Sequence, residues 1–72
     1  MIRCHLSTLM GARKMKLTHV AEATGLHRNT LTSLYYERAQ RIDLTALERL
    51  CELFECGVED ILEHRPDEAP AS

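Results

Sequence analysis

Aromatic residues are nearly missing from this chain: Tyr35, Tyr36 and Phe54 are the whole set, and there is no tryptophan. Glycine and proline are also scarce, three and two in number. So few turn-forming residues leave little punctuation for hairpins, and that points to helices. Three cysteines, Cys4, Cys51 and Cys56, are too few and of the wrong parity for a disulfide framework. Such usage fits a reducing cytoplasm. No apolar run approaches the roughly 18 residues of a membrane span. The opening Met1-Ile2-Arg3-Cys4-His5 lacks the basic-then-apolar order of a secretory signal.

What is present is enough for one small domain. Seventy-two residues bury only about 60–65% of the surface the unfolded chain exposes. That argues against a deep catalytic cleft and for a binding module. No nucleophile and base share a motif, so no enzymatic chemistry is expected. Cys51 and Cys56 are five apart, outside the zinc-ligand spacing, and read as core thiols. His5, His19, His27 and His64 are scattered over different elements. Neither a metal nor a cofactor is expected.

The charge has a direction. Residues 1–42 carry seven Lys or Arg against two Glu, a net +5, and residues 43–72 carry two Arg against nine Asp or Glu, a net −7. One end suits a polyanion and the other repels it.

Apolar spacing divides the chain into five short helices. The first runs from Ile2 to Lys14, with Ile2, Leu6, Leu9 and Met10 on one stripe. The second starts at Thr18 as N-cap and stops at Gly25, which takes the left-handed position beyond a helix end. Its inward residues are Val20, Ala21 and Thr24. The third runs from His27 or Arg28 to Glu37. Leu31, Leu34 and Tyr35 form its inner face and Asn29, Thr32, Ser33 and Tyr36 the outer. A basic loop, Arg38 to Ile42, leads to a fourth helix capped by Asp43, with Leu44, Leu47, Leu50, Cys51 and Phe54 as its stripe. The fifth, Val58 to Glu63, buries Val58, Ile61 and Leu62. Residues 1–64 make the domain, and 65–72, with two prolines and no periodicity, read as a disordered polar tail.

The segment from Val20 to Leu34 is the informative one. Ala21 lets two helices approach, Gly25 turns the corner, Leu26 plugs it, and Leu31 and Leu34 anchor the second helix from below. The outer face of that helix is then free of apolar work. This is the pattern of a helix-turn-helix whose second helix enters a major groove. His27 is placed as an N-cap or a phosphate donor.

From these residues, and from Ala39-Gln40-Arg41-Ile42-Asp43-Leu44 onward through Val58-Glu59-Asp60-Ile61-Leu62-Glu63, the chain resembles the Cro/phage-repressor (XRE-like) helix-turn-helix family across about residues 2–63. The resemblance implies an all-α, compact five-helix bundle, lambda-repressor-like, that binds double-stranded operator DNA, commonly as a homodimer. It implies base contacts from Arg28, Asn29, Thr32 and Ser33. Arg28 is suited to guanine and Asn29 to adenine. It implies phosphate contacts from Lys16 and Thr18 at the start of the second helix and from Arg38, Gln40 and Arg41 in the following loop. The Tyr36 hydroxyl is a further phosphate donor. Two departures stand out: Thr18-His19 replaces the family's glutamine in the second helix, and Glu37-Arg38-Ala39-Gln40 lacks the usual loop glycine. The dimer face is expected on Phe54, Val58 and Ile61.

These features favour a sequence-specific DNA-binding transcriptional regulator, most simply a repressor. The competing class is a protein-interaction module, such as an antitoxin or small adaptor, using the acidic half from Asp43 to Glu63. Exposed apolar anchors on that half would be its mark.

Overall fold

The computed structural model describes residues 1–66; the remainder of the expected tail, residues 67–72, lies outside the described residues. The order is β1 (Ile2–Cys4), α1 (Leu6–Ala12), α2 (Leu17–Thr24), α3 (Arg28–Tyr35), α4 (Leu44–Phe54), α5 (Val58–Ile61) and β2 (Leu62–His64). Five helices are present, as the spacing predicts. A two-stranded antiparallel sheet is present as well, so the fold is mostly helical rather than all-α.

That sheet revises both ends of the helical reading. Ile2 faces His64, Arg3 faces Glu63 and Cys4 faces Leu62. The first helix therefore begins at Leu6, four residues later than Ile2, and the fifth stops at Ile61. Ile2 leaves the expected stripe and is 60% exposed. Strands of three residues carry too little alternation to be seen in sequence, and their pairing is a long-range event.

Every helix contributes to one core. Leu6 and Met10 come from α1, Val20 from α2, Leu31 and Leu34 from α3, Leu47, Leu50 and Phe54 from α4, and Ile61 from α5. Each fully buried aliphatic side chain is worth about 1.5–3 kcal/mol of transfer free energy. Phe54 and Ile61 are 3% and 0% exposed, so they cannot form the dimer face expected of them; only Val58 of that trio is exposed. Leu44, the first member of the α4 stripe, is 77% exposed. It sits in the opening turn, before the helix has come down onto the core, and Ala46 takes the buried place.

Three helices end without glycine. Lys14, Glu37 and Glu55 adopt φ of 56°, 58° and 53°. At the last of these, the Cys56 N–H bonds the Cys51 carbonyl at 3.1 Å. This six-to-one closure brings the residue past the turn back onto the helix. It accounts for the two sulfurs lying together. Partial burial first, then the neighbouring Cys51 and Asp60, push the Cys56 thiol up. Arg13 donates to the Leu53 and Phe54 carbonyls at 3.3 and 2.8 Å, closing the same helix end.

Candidate nucleic-acid interface

The corner between α2 and α3 is built from short contacts. Gly25 has φ 75°, the left-handed region where a side chain is costly. Its N–H bonds the Ala21 carbonyl at 2.8 Å. The Thr24 hydroxyl donates to the Val20 carbonyl at 2.7 Å and accepts from the Leu26 N–H at 3.2 Å. Arg49, on α4, donates to the Thr24 carbonyl at 3.2 Å. Sequence reasoning passed over Arg49 because its partner is a main-chain oxygen 25 residues away.

The start of α2 differs from expectation. Lys16, not Thr18, occupies the N-cap position, and its N–H donates to His19 Nδ1 at 3.3 Å. Thr18 lies inside the first turn, exposed. His27 holds the N-cap position of α3, as expected, without a side-chain capping bond. Asp43 does the same for α4.

On α3 the two faces separate as the 100° steps require. Leu31 and Leu34 are buried, Tyr35 is half-buried, and Arg28, Asn29 and Tyr36 are exposed. Thr32 and Ser33 are half-buried at the border. Asn29 and Ser33 line an open groove with Arg38, Gln40 and Arg41, so the structure gathers five of the expected contact residues. Thr30 lines it too and was missed. Its place one turn before Ser33 was the available signal. Lys16 and Tyr36 meet in a separate shallow hollow on the other side of α3's end. Arg28, Thr18, Thr32 and His27 belong to neither.

The cations are left free for a ligand. Among the described residues no ion pair involves Lys16, Arg28, Arg38 or Arg41. Glu37 is engaged elsewhere, with Arg3. The Arg38 guanidinium instead lies 5.2 Å from the Tyr36 ring centre, which sets both side chains in place. Arg28 and Asn29 at the start of α3 stay exposed to solvent. Among the described residues no three His, Cys, Asp or Glu side chains gather as a metal site, and no helix is long and apolar enough to cross a membrane.

Ala39, Gln40 and Arg41 also line a second groove, of about 440 Å³, on their opposite side. Ile2, Leu34, Ile42 and Leu62 give that groove an apolar floor. Cys4 lies in it, its thiol pushed up by burial.

Comparison with known proteins agrees with this geometry. The family described as Cro/C1-type HTH DNA-binding domain matches residues 5–67. The HTH-type transcriptional regulator YozG of Bacillus subtilis (strain 168) is 36% identical over 64 residues, covering 89% of this chain and 76% of that protein. A corner held at Gly25, an unencumbered polar face beyond it, and a match over nearly the whole described chain lead to one conclusion: this chain belongs to the Cro/C1-type helix-turn-helix DNA-binding family.

Proposed function

We propose that this DNA-binding transcription regulator is a sequence-specific repressor that reads the major groove with α3. The supporting observation is that Arg28 and Asn29 stand exposed, directly beyond the Gly25 corner, with neither drawn into the core nor covered by the acidic half. Arg28, Asn29, Thr32 and Ser33 read base edges. Lys16, Thr18, His27, Tyr36, Arg38, Gln40 and Arg41 hold phosphates on either side. Residues 1–64 form the working unit. It acts in the cytoplasm as a homodimer on a palindromic operator, without cofactor or metal. A single module covers one half-site only, and two copies are needed for useful affinity.

The test is enrichment of random duplex DNA on the purified protein. A defined motif should emerge, with binding that weakens steeply as salt rises. Arg28→Ala should relax the motif at one base pair, by roughly 1–3 kcal/mol of discrimination. Recovery of unselected sequence by the wild type would overturn the proposal.

One observation favours the interaction-module reading as a second role. Leu44 and Val58, at 77% and 47% exposure, are apolar residues standing out from the acidic half. A stoichiometric partner lost on Leu44→Ser, with DNA binding retained, would establish it.

A further inference from the structure

The end of α4 brings two cysteines together. Glu55 takes φ 53°, and one residue on the Cys56 N–H bonds the Cys51 carbonyl at 3.1 Å. In this closure the side chains of the first and sixth residues meet at one side of the helix end. Standard bond lengths then hold the two α-carbons within about 7 Å of each other. A disulfide spans roughly 4.4–6.8 Å between α-carbons. The Cys51 thiol acts on that of Cys56 both through charge and as a hydrogen-bond partner. Both side chains are half-buried, which leaves part of each open to a small solute.

Cys4 stands apart. Burial, the Leu6 N–H and Glu37 act on its thiol, and no other cysteine does. It lies in the apolar groove beside Leu62. Of the three pairings that three thiols allow, the fold prepares one.

We propose that Cys51 and Cys56 are a reversible covalent-modification site: hydrogen peroxide oxidises them to an intramolecular disulfide that locks the end of α4 to the turn leading into α5. One sulfur, as thiolate, attacks a peroxide oxygen. The S–O bond forms, the O–O bond breaks, and the departing oxygen takes a proton and leaves as water. The second sulfur then attacks the sulfenic sulfur. The S–S bond forms, the S–O bond breaks, and a second water leaves. The two thiols give up two electrons and two protons, and one peroxide takes all of them. Glutathione reverses the step by thiol–disulfide exchange and becomes glutathione disulfide. With the Cys56 thiol pushed up by burial, the oxidation is slow and answers lasting rather than brief exposure.

The bond acts on the helix that frames the corner. Arg49, two residues before Cys51, donates to the Thr24 carbonyl. Arg13 closes the same helix end through the Leu53 and Phe54 carbonyls. A covalent tie between Cys51 and Cys56 reinforces a closure the fold already makes, so it stabilises the domain rather than opening it.

Equilibration with glutathione separates a prepared pair from mere nearness in sequence. In the Cys4→Ala chain, checked for native circular dichroism, the effective concentration of the two thiols should be at least about tenfold higher in buffer than in concentrated urea. Equal values would overturn the proposal. In the native chain, hydrogen peroxide should reduce the free thiols from three to one without forming dimer. Cleavage after Glu52 and Glu55 separates the two cysteines, so mass spectrometry reads the linked fragments directly. A product joining Cys4 to either of the others, or glutathione adducts alone, would refute the pairing. The oxidised chain should unfold at a higher urea concentration than the reduced one, and Cys56→Ser should lose that response to peroxide. A midpoint unmoved or lowered by oxidation would sink the lock. None of these readouts depends on DNA, so the site stands or falls apart from the DNA-reading assignment.

Discussion

Glu37 reaches back 34 residues to grip Arg3, with Oε2 accepting from Nη2 at 3.1 Å and Oε1 3.0 Å from Nε. The same Oε1 accepts the Cys4 N–H. Glu37 is the second residue beyond the α3 end, after the Tyr36 cap, so this contact ties the end of α3 to the sheet. Both side chains are more than a third exposed, which limits the pair to about 0–1 kcal/mol of stability. Glu37→Gln should therefore unfold within about 1 kcal/mol of wild type in urea. Its operator affinity, followed by gel retardation, should fall at least about fivefold, near 1 kcal/mol, because α3 loses its rear anchor. An operator affinity unchanged from wild type would argue against a positioning role.

Gly25 turns the corner at φ 75°, and a Cβ there would sit 3.4 Å from Arg49 Nη1. That distance is ordinary contact, so the cost lies in the backbone. Gly25→Ala should lower unfolding stability by about 1–2 kcal/mol. Chemical denaturation measures it, and an unchanged midpoint would show that the turn relaxes without strain.

Arg41 and Arg28 are expected to fail differently. Arg41→Ala should weaken binding to all duplexes alike and reduce the slope of log affinity against log salt by about one. Arg28→Ala should leave most of that slope and lose sequence preference. Titrations of two unrelated duplexes at several salt concentrations separate the two roles.

Glu63 supplies a pH dependence. Its carboxyl is held below the ordinary 4.5, chiefly by the His5 hydrogen bond and next by Arg65. A carboxylate whose pKa falls on folding contributes stability that is complete above its unfolded value and disappears as pH drops through the folded one. The stability gap between wild type and Glu63→Gln should close as pH falls below about 4.5. A gap that widens in acid would have the wrong sign.

Residues acting through local spacing were legible in the sequence. Gly25, the Leu31 and Leu34 anchors, the exposed Arg28 and Asn29 and the place of Asp43 all follow from a 100° step or from a turn's need for positive φ. What escaped depends on partners far along the chain. The Ile2–His64 pairing, the Arg3–Glu37 grip and the Arg49 bond to Thr24 leave no periodic trace. Glu37 also takes a left-handed φ of 58°, which composition conceals because a charged residue tolerates αL only when other contacts hold it. Leu44 misled for the opposite reason: it keeps the helical spacing, but a stripe says nothing about where a helix meets its core.

Ala39, Gln40 and Arg41 form a partition with a polar hollow on one side and an oily one on the other. The two hollows share those three residues as a common wall. A bulkier side chain at position 39 would therefore enter the lining of both, the one that holds Ile42 and Leu62 and the one that holds Asn29 and Ser33.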